Sequence, residues 1–192
     1  MDTMTSRILS IANLLSFLRL LLVPVLIVLA VDGESYWFLG VLAASLVSDV
    51  LDGHLARKLN QVSDFGAKLD SWGDSLTYAA MIFGLYQLWP LIFVEQQAYL
   101  LSATLSFIVP LAAALIKFGE YPSYHTWGAK VAAILIAPAY YMLILVDADA
   151  WFRLVILFYL LVAAEEILIT ILLTSPVTNV GSAWRLIRHG DA

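Results

Sequence analysis

Residues 49–74 read DVLDGHLARKLNQVSDFGAKLDSWGD, and the reading of this stretch decides the fold. It carries four carboxylates, Asp49, Asp52, Asp70 and Asp74, set among apolar residues. Asp49 and Asp52 are i and i+3, and Asp70 and Asp74 are i and i+4, so on helices each pair shares a face. If these helices lie in a bilayer, each ionised group costs roughly 2.5–3.5 kcal/mol on insertion scales and requires a reason. Gly53, Ala56, Gly66 and Gly73 would let backbone approach a bulky ligand or a neighbouring helix. Arg57 is placed to meet a phosphate. Single acids in membrane helices are often structural ion pairs, and small residues often serve packing. Four acids, several small residues and one arginine on two adjoining helices favour a binding site over that plainer reading.

The chain around this stretch is membrane-like. Of 192 residues, 62% are hydrophobic, with a mean hydropathy of +0.89, whereas a soluble domain is about 45–50% apolar. The net charge of −5 argues against nucleic acid as a partner, since that selects basic faces. The absence of cysteine excludes disulfides, thiolate metal sites and a cysteine nucleophile. Met1–Ser6 is polar and leads into an apolar stretch with no small-residue cleavage site, which predicts a retained helix rather than a removed signal peptide.

Six apolar segments approach the roughly 20 residues a spanning helix needs: about Ile8–Val31, Ser35–Leu59, Gly66–Trp89, Gln97–Phe118, Trp127–Val146 and Trp151–Leu173. Turn chemistry separates them at Asp32-Gly33, Trp89-Pro90, Gly119 with Pro122, and Asp147-Ala148-Asp149. The expectation is all-α: one domain over 1–192, a six-helix transmembrane bundle with a C-terminal tail at 177–192, either a short amphipathic surface helix or, as favoured, a frayed tail. Cations set its orientation. Arg7, Arg57, Lys58, Lys68, Lys117, Lys130, Arg185 and Arg188 fall on one side, and the opposite side has Arg153 among acidic loops. The positive-inside rule then predicts cytoplasmic N- and C-termini.

In that arrangement the second and third helices are antiparallel, joined by a cytoplasmic turn near Asn60–Phe65. At ~1.5 Å per residue, Asp49 and Asp74 each lie about 12 Å in from the cytoplasmic helix ends, with Asp52 and Asp70 a turn shallower. The four can converge at one depth, where they repel one another unless a cation sits between them. Hard oxygen ligands without His or Cys suit Mg²⁺, Mn²⁺ or Ca²⁺ rather than zinc.

The spacing Asp49-x-x-Asp52-Gly53-x-x-Ala56-Arg57, eight residues, Gly66-x-x-x-Asp70-x-x-x-Asp74 resembles the signature of the CDP-alcohol phosphotransferases, with every fixed position filled. The resemblance implies that the four aspartates hold two divalent cations, Mg²⁺ or Mn²⁺. It implies that Gly53, Ala56, Arg57 and Gly66 join Asp49, Asp52 and Asp70 in holding the CDP moiety. Asp74 would be the base that takes the acceptor's proton, and the protein would be a homodimer. The opening span, Ile11-Ala-Asn13-Leu-Leu-Ser16-Phe-Leu-Arg19 through Pro24, is similar to that of phosphatidylglycerophosphate synthases and bacterial cardiolipin synthases.

The resemblance implies phosphatidyl transfer from CDP-diacylglycerol to a small polar alcohol, with glycerol 3-phosphate as one acceptor. Lys68, Lys117 and Lys130 are candidates for holding an acceptor phosphate. However, Lys117 and Gly128-Ala-Lys130-Val-Ala stand where a glycerol-phosphate synthase would be expected to carry an Arg and then Gly-Lys-x-Lys-Thr. Arg19, in mid-span, is expected to pair with Glu165 or Glu166 on the last helix. Two other readings stay open. One reverses the lipid's place, passing a CDP-linked head group to diacylglycerol. The other is an ion or proton transporter that uses the acids as its pathway.

Overall fold

The computed structural model describes residues 11–58, 64–119, 124, 126–177, 180–184 and 186. Among these, six helices and no strand are found: α1 (Ile11–Val31), α2 (Ser35–Lys58), α3 (Asp64–Leu88), α4 (Pro90–Phe118), α5 (Trp127–Val146) and α6 (Asp149–Leu172). The chain divides into two compact units, one ending at Val94 and one beginning at Glu95, with the boundary inside α4.

The breaks form where turn residues predict them. After α1, Gly33 takes φ +78°, a left-handed conformation that glycine adopts without strain. There the amides of Asp32 and Glu34 donate back to the carbonyls of Val28 and Leu29. Pro90 opens α4 as its first residue, where its missing N–H leaves no hydrogen bond unmade. For that reason α4 starts two turns earlier than the apolar run alone indicates. Asp147, at φ 52°, closes α5 with its amide on the Met142 carbonyl. The expected turn at Asn60–Phe65 lies partly outside the described residues.

In the first unit α1 is the central helix. It packs along both α2 and α3, which touch each other only marginally. Phe38 and Leu42 of α2, Leu26 and Ala30 of α1, and Ala80, Met81 and Leu85 of α3 are buried. The Phe38 ring seats on Gly84, where a Cβ would lie 2.2 Å from its Cζ, and meets Trp89 edge-on at 6.2 Å.

In the second unit α5 packs on α6. Thr126 caps α5 by accepting the Ala129 amide at 3.1 Å, and Arg153 of α6 donates to the buried Gln96 of α4 at 3.0 Å. The stretch expected to be a frayed tail is corrected in part. Val180 and Ala183 are buried with Tyr124, Ile169 and Leu173, and Phe118 and Leu186 pack against them. Two polar contacts hold this segment: the Ala183 amide donates to Glu165 Oε1 at 3.1 Å, and the Trp127 amide to the Gly181 carbonyl at 3.2 Å. Tyr124 shares a 2.8 Å hydrogen bond with Thr170. Burial raises its phenol above the usual value, a trend the Thr170 bond opposes and the charge of Glu166 reinforces.

Three helices, α4, α5 and α6, are long and apolar enough to cross a membrane. The described apolar part of α1, Ser16–Val31, is shorter. The charges of the 49–74 stretch fall on α2 and α3, which is why those two are less apolar. Large side chains are exposed on all six helices, among them Leu21, Trp37, Trp72, Ile116, Ile134 and Leu161.

Candidate active site

The site forms where α1 passes between the acidic helices. Arg19, on the buried seam of α1, is 1% exposed, and its Nη1 donates to Oδ1 of Asp49 on α2 and, at 2.9 Å, to Oδ1 of Asp74 on α3. Two acids far apart in sequence thus converge on one nitrogen. Neither is buried with it: the Asp49 and Asp74 side chains are 35% and 48% exposed. The cation lies behind the acids, and the acids face outward.

Gly73 makes this possible. A Cβ there would fall 2.6 Å from Arg19 Nε, 2.8 Å from Nη2 and 3.0 Å from Cζ, so the guanidinium rests directly on the α3 backbone. The residue reads from sequence as one of several small residues; its neighbour shows why this position must be small.

The expected pairing of Arg19 with Glu165 or Glu166 is corrected. Among the described residues its ion pairs are with Asp49 and Asp74, and a Glu165 oxygen accepts the Ala183 amide. Depth along the helices does not choose among these carboxylates, so sequence spacing carries no signal for this pairing.

One turn further from the expected cytoplasmic end lie Ser45, four residues before Asp49, and Thr77, three after Asp74. Both are buried, and among the described residues neither hydroxyl has a hydrogen-bond partner. The polar strip therefore reaches a turn deeper than the acids before the apolar core of Leu42, Ala80 and Met81 begins.

Asp52, Gly53, Ala56 and Arg57 lie on α2, and Lys68 and Asp70 on α3; their side chains are outside the described residues. Gly66 is also on α3 and half-buried. The other acceptor candidates are placed differently. Lys117 Nζ donates to the carbonyls of Thr170 and Ile171, each at 2.9 Å. It thereby satisfies carbonyls at the end of α6 that lack helical partners. Lys130 Nζ lies 5.1 Å from the centre of the Trp127 ring.

Among the described residues no group of three or more His, Cys, Asp or Glu is assembled as a metal cage. The donor chemistry nevertheless fits a hard divalent cation. Two half-exposed carboxylates are aimed at one positive charge, and among the described residues no imidazole or thiolate enters that contact. Asp49 and Asp74 would be ligands, with Asp52 and Asp70 on the same helices.

Comparison with known proteins agrees with the signature. The profile of the CDP-alcohol phosphatidyltransferase family matches residues 9–172, most of the chain and part of both units. A cardiolipin synthase (CMP-forming) of Streptomyces coelicolor is 34% identical over 153 residues, 77% of this chain and 70% of the relative. A probable phosphatidylglycerophosphate synthase of Mycobacterium tuberculosis is 30% identical over 142 residues, 70% of this chain and 65% of the relative. A CDP-diacylglycerol–glycerol-3-phosphate 3-phosphatidyltransferase of Pseudomonas fluorescens is 38% identical over 81 residues, 41% of this chain and 42% of that protein. No solved structure matches the chain.

Proposed function

Since the chain belongs to the CDP-alcohol phosphatidyltransferase family and is therefore an enzyme of phospholipid synthesis, we propose that it transfers a phosphatidyl group from CDP-diacylglycerol to the hydroxyl of a small polar alcohol, releasing CMP. The observation that carries this reading is the convergence of Asp49 and Asp74, the first and last acids of the signature, on one buried arginine. An intact signature could be a relic; acids brought together and still partly exposed are a working arrangement.

The chemistry follows from the residues. Asp74 takes the proton from the acceptor hydroxyl, which is a poor nucleophile at neutral pH without a positioned base. The freed oxygen attacks the β-phosphorus of the donor, the bond from that phosphorus to the CMP oxygen breaks, and CMP leaves. Asp49, Asp52, Asp70 and Asp74 hold two divalent ions, Mg²⁺ or Mn²⁺, which when bound neutralise pyrophosphate charge. Gly53, Ala56, Arg57 and Gly66 hold the CDP moiety, as the matched signature implies.

The enzyme works as a six-span integral membrane protein, with both termini and the site on the cytoplasmic side. The cation distribution and three membrane-capable helices support this. The family resemblance supports a homodimer. For the acceptor, glycerol 3-phosphate and phosphatidylglycerol are the first alcohols to try. The engagement of Lys117 at the end of α6 weighs against an acceptor phosphate bound through that lysine.

The test incubates purified protein with CDP-diacylglycerol, Mg²⁺ or Mn²⁺, and glycerol 3-phosphate, phosphatidylglycerol, inositol phosphate or serine in separate reactions. CMP and a new phospholipid are expected with one acceptor. Product only from a CDP-linked head group and diacylglycerol would reverse the donor assignment. No CMP from either donor class would return the transporter reading.

A further inference from the structure

Arg19 lies outside the 49–74 signature yet stands at its centre, and its burial is costly enough to need a function. An arginine within an apolar seam is expensive even when paired, and here a glycine at 73 is required to seat it. An arginine that merely pinned α1 to its neighbours could bond any one carboxylate. This one places a single nitrogen between the two acids that end the signature.

We propose that Arg19 is a positioning residue that holds Asp49 and Asp74 in register as a resident cation and opposes divalent-ion binding between them. This rests on the reading of those acids as metal ligands. The exposure pattern gives the route: the guanidinium is buried, whereas the carboxylates of Asp49 and Asp74 are partly exposed, so a cation from solution reaches them. The incoming ion is attracted by two negative charges and repelled by one fixed positive charge a few ångströms behind them. At that range a unit charge matters greatly, because the site is only partly screened by water. Arg19 thus keeps the ion-free acids from splaying apart while weakening the grip on the ion, and removing it should separate these two effects.

The experiment uses the full chain in detergent or nanodiscs, with Mn²⁺ alone as probe and the loss of the free-ion electron paramagnetic resonance signal as readout. Turnover is measured in parallel. Arg19→Met is expected to bind Mn²⁺ at least about ten-fold more tightly than wild type, while kcat falls by roughly a hundred-fold because Asp74 is no longer aimed. Arg19→Gln carries the same expectation should the methionine variant fail to fold. Arg19→Lys, which keeps the charge but lacks the fork, restores near-wild-type Mn²⁺ affinity with only part of the turnover. Gly73→Ala, which displaces the guanidinium without removing its charge, lowers kcat without the full gain in affinity. Unchanged or weaker Mn²⁺ binding by the neutral variants, with wild type binding normally, overturns the proposal alone. Wild-type protein that binds no Mn²⁺ overturns the metal reading beneath it.

Discussion

Replacing Asp74 by asparagine separates the chemistry of this site from its architecture. Asparagine is nearly isosteric, and its carbonyl oxygen can still accept the Arg19 Nη1 hydrogen bond, which spans 2.9 Å in the native protein. What disappears is one negative charge on a side chain that is 48% exposed. Its partner Arg19 is 1% exposed but keeps the Asp49 ion pair and an oxygen acceptor at position 74, so the change costs on the order of 1 kcal/mol. In a chain of this size that lowers Tm by roughly 2–4 °C. Loss of a general base, by contrast, costs about 10²–10⁴ in rate, which is roughly 3–5 kcal/mol on the barrier. The two effects differ enough to be told apart in one variant. CMP release at saturating acceptor gives kcat, retention of labelled CDP-diacylglycerol gives donor affinity, and thermal unfolding in detergent gives stability. The expected pattern is turnover down at least about a hundred-fold, donor affinity little changed and Tm nearly kept. A kcat within about ten-fold of wild type would refute the base assignment, and a parallel collapse of donor affinity would move Asp74 from proton transfer to donor binding.

Other residues give independent checks. Gly84→Ala places a Cβ 2.2 Å from Phe38 Cζ. Overpacking of about 1–3 kcal/mol outweighs the helix-propensity gain of roughly 1 kcal/mol, so Tm should fall, and adding Phe38→Leu should recover part of the loss. Lys117→Met removes both bonds to the Thr170 and Ile171 carbonyls. Stability should drop by about 1 kcal/mol with the acceptor KM unchanged, whereas a steep rise in that KM would restore Lys117 as an acceptor ligand. Glu165→Ala strips the Ala183 amide of its acceptor, and hydrogen exchange at 180–184 should accelerate relative to Glu165→Gln.

Helices and turns were legible because their signals are local. Apolar runs of spanning length, Gly33 at a left-handed turn, Pro90 at a helix start and Asp147 at a helix end each act within a few residues. The acids were legible because charge amid apolar residues is conspicuous. The partner of Arg19 was not. Sequence spacing tells how deep a residue lies along a helix, and carboxylates on more than one helix lie within reach of a mid-span arginine. The partner then depends on the rotation of each helix about its axis, which packing decides. Here Gly73 selects the rotation by being the surface on which a guanidinium fits. Docking of residues 180–184 was hidden for a related reason: it depends on Glu165 Oε1 and on a surface shared by Tyr124, Ile169 and Leu173, none of them adjacent in sequence.

The uneven hydropathy of the chain follows from the same site. A helix that crosses lipid on composition alone must carry few charges, and α4, α5 and α6 meet that condition. Helices that gather carboxylates cannot, because every acid adds roughly 2.5–3.5 kcal/mol to the cost of insertion. The first unit reduces that cost by arranging its charges in opposition. Arg19 is at the centre, Asp49 and Asp74 are on either side, and the unpartnered hydroxyls of Ser45 and Thr77 grade the polar strip into the apolar core. α1 is therefore more than a membrane anchor. By lying between α2 and α3, which scarcely touch, it brings the two acidic helices to one guanidinium.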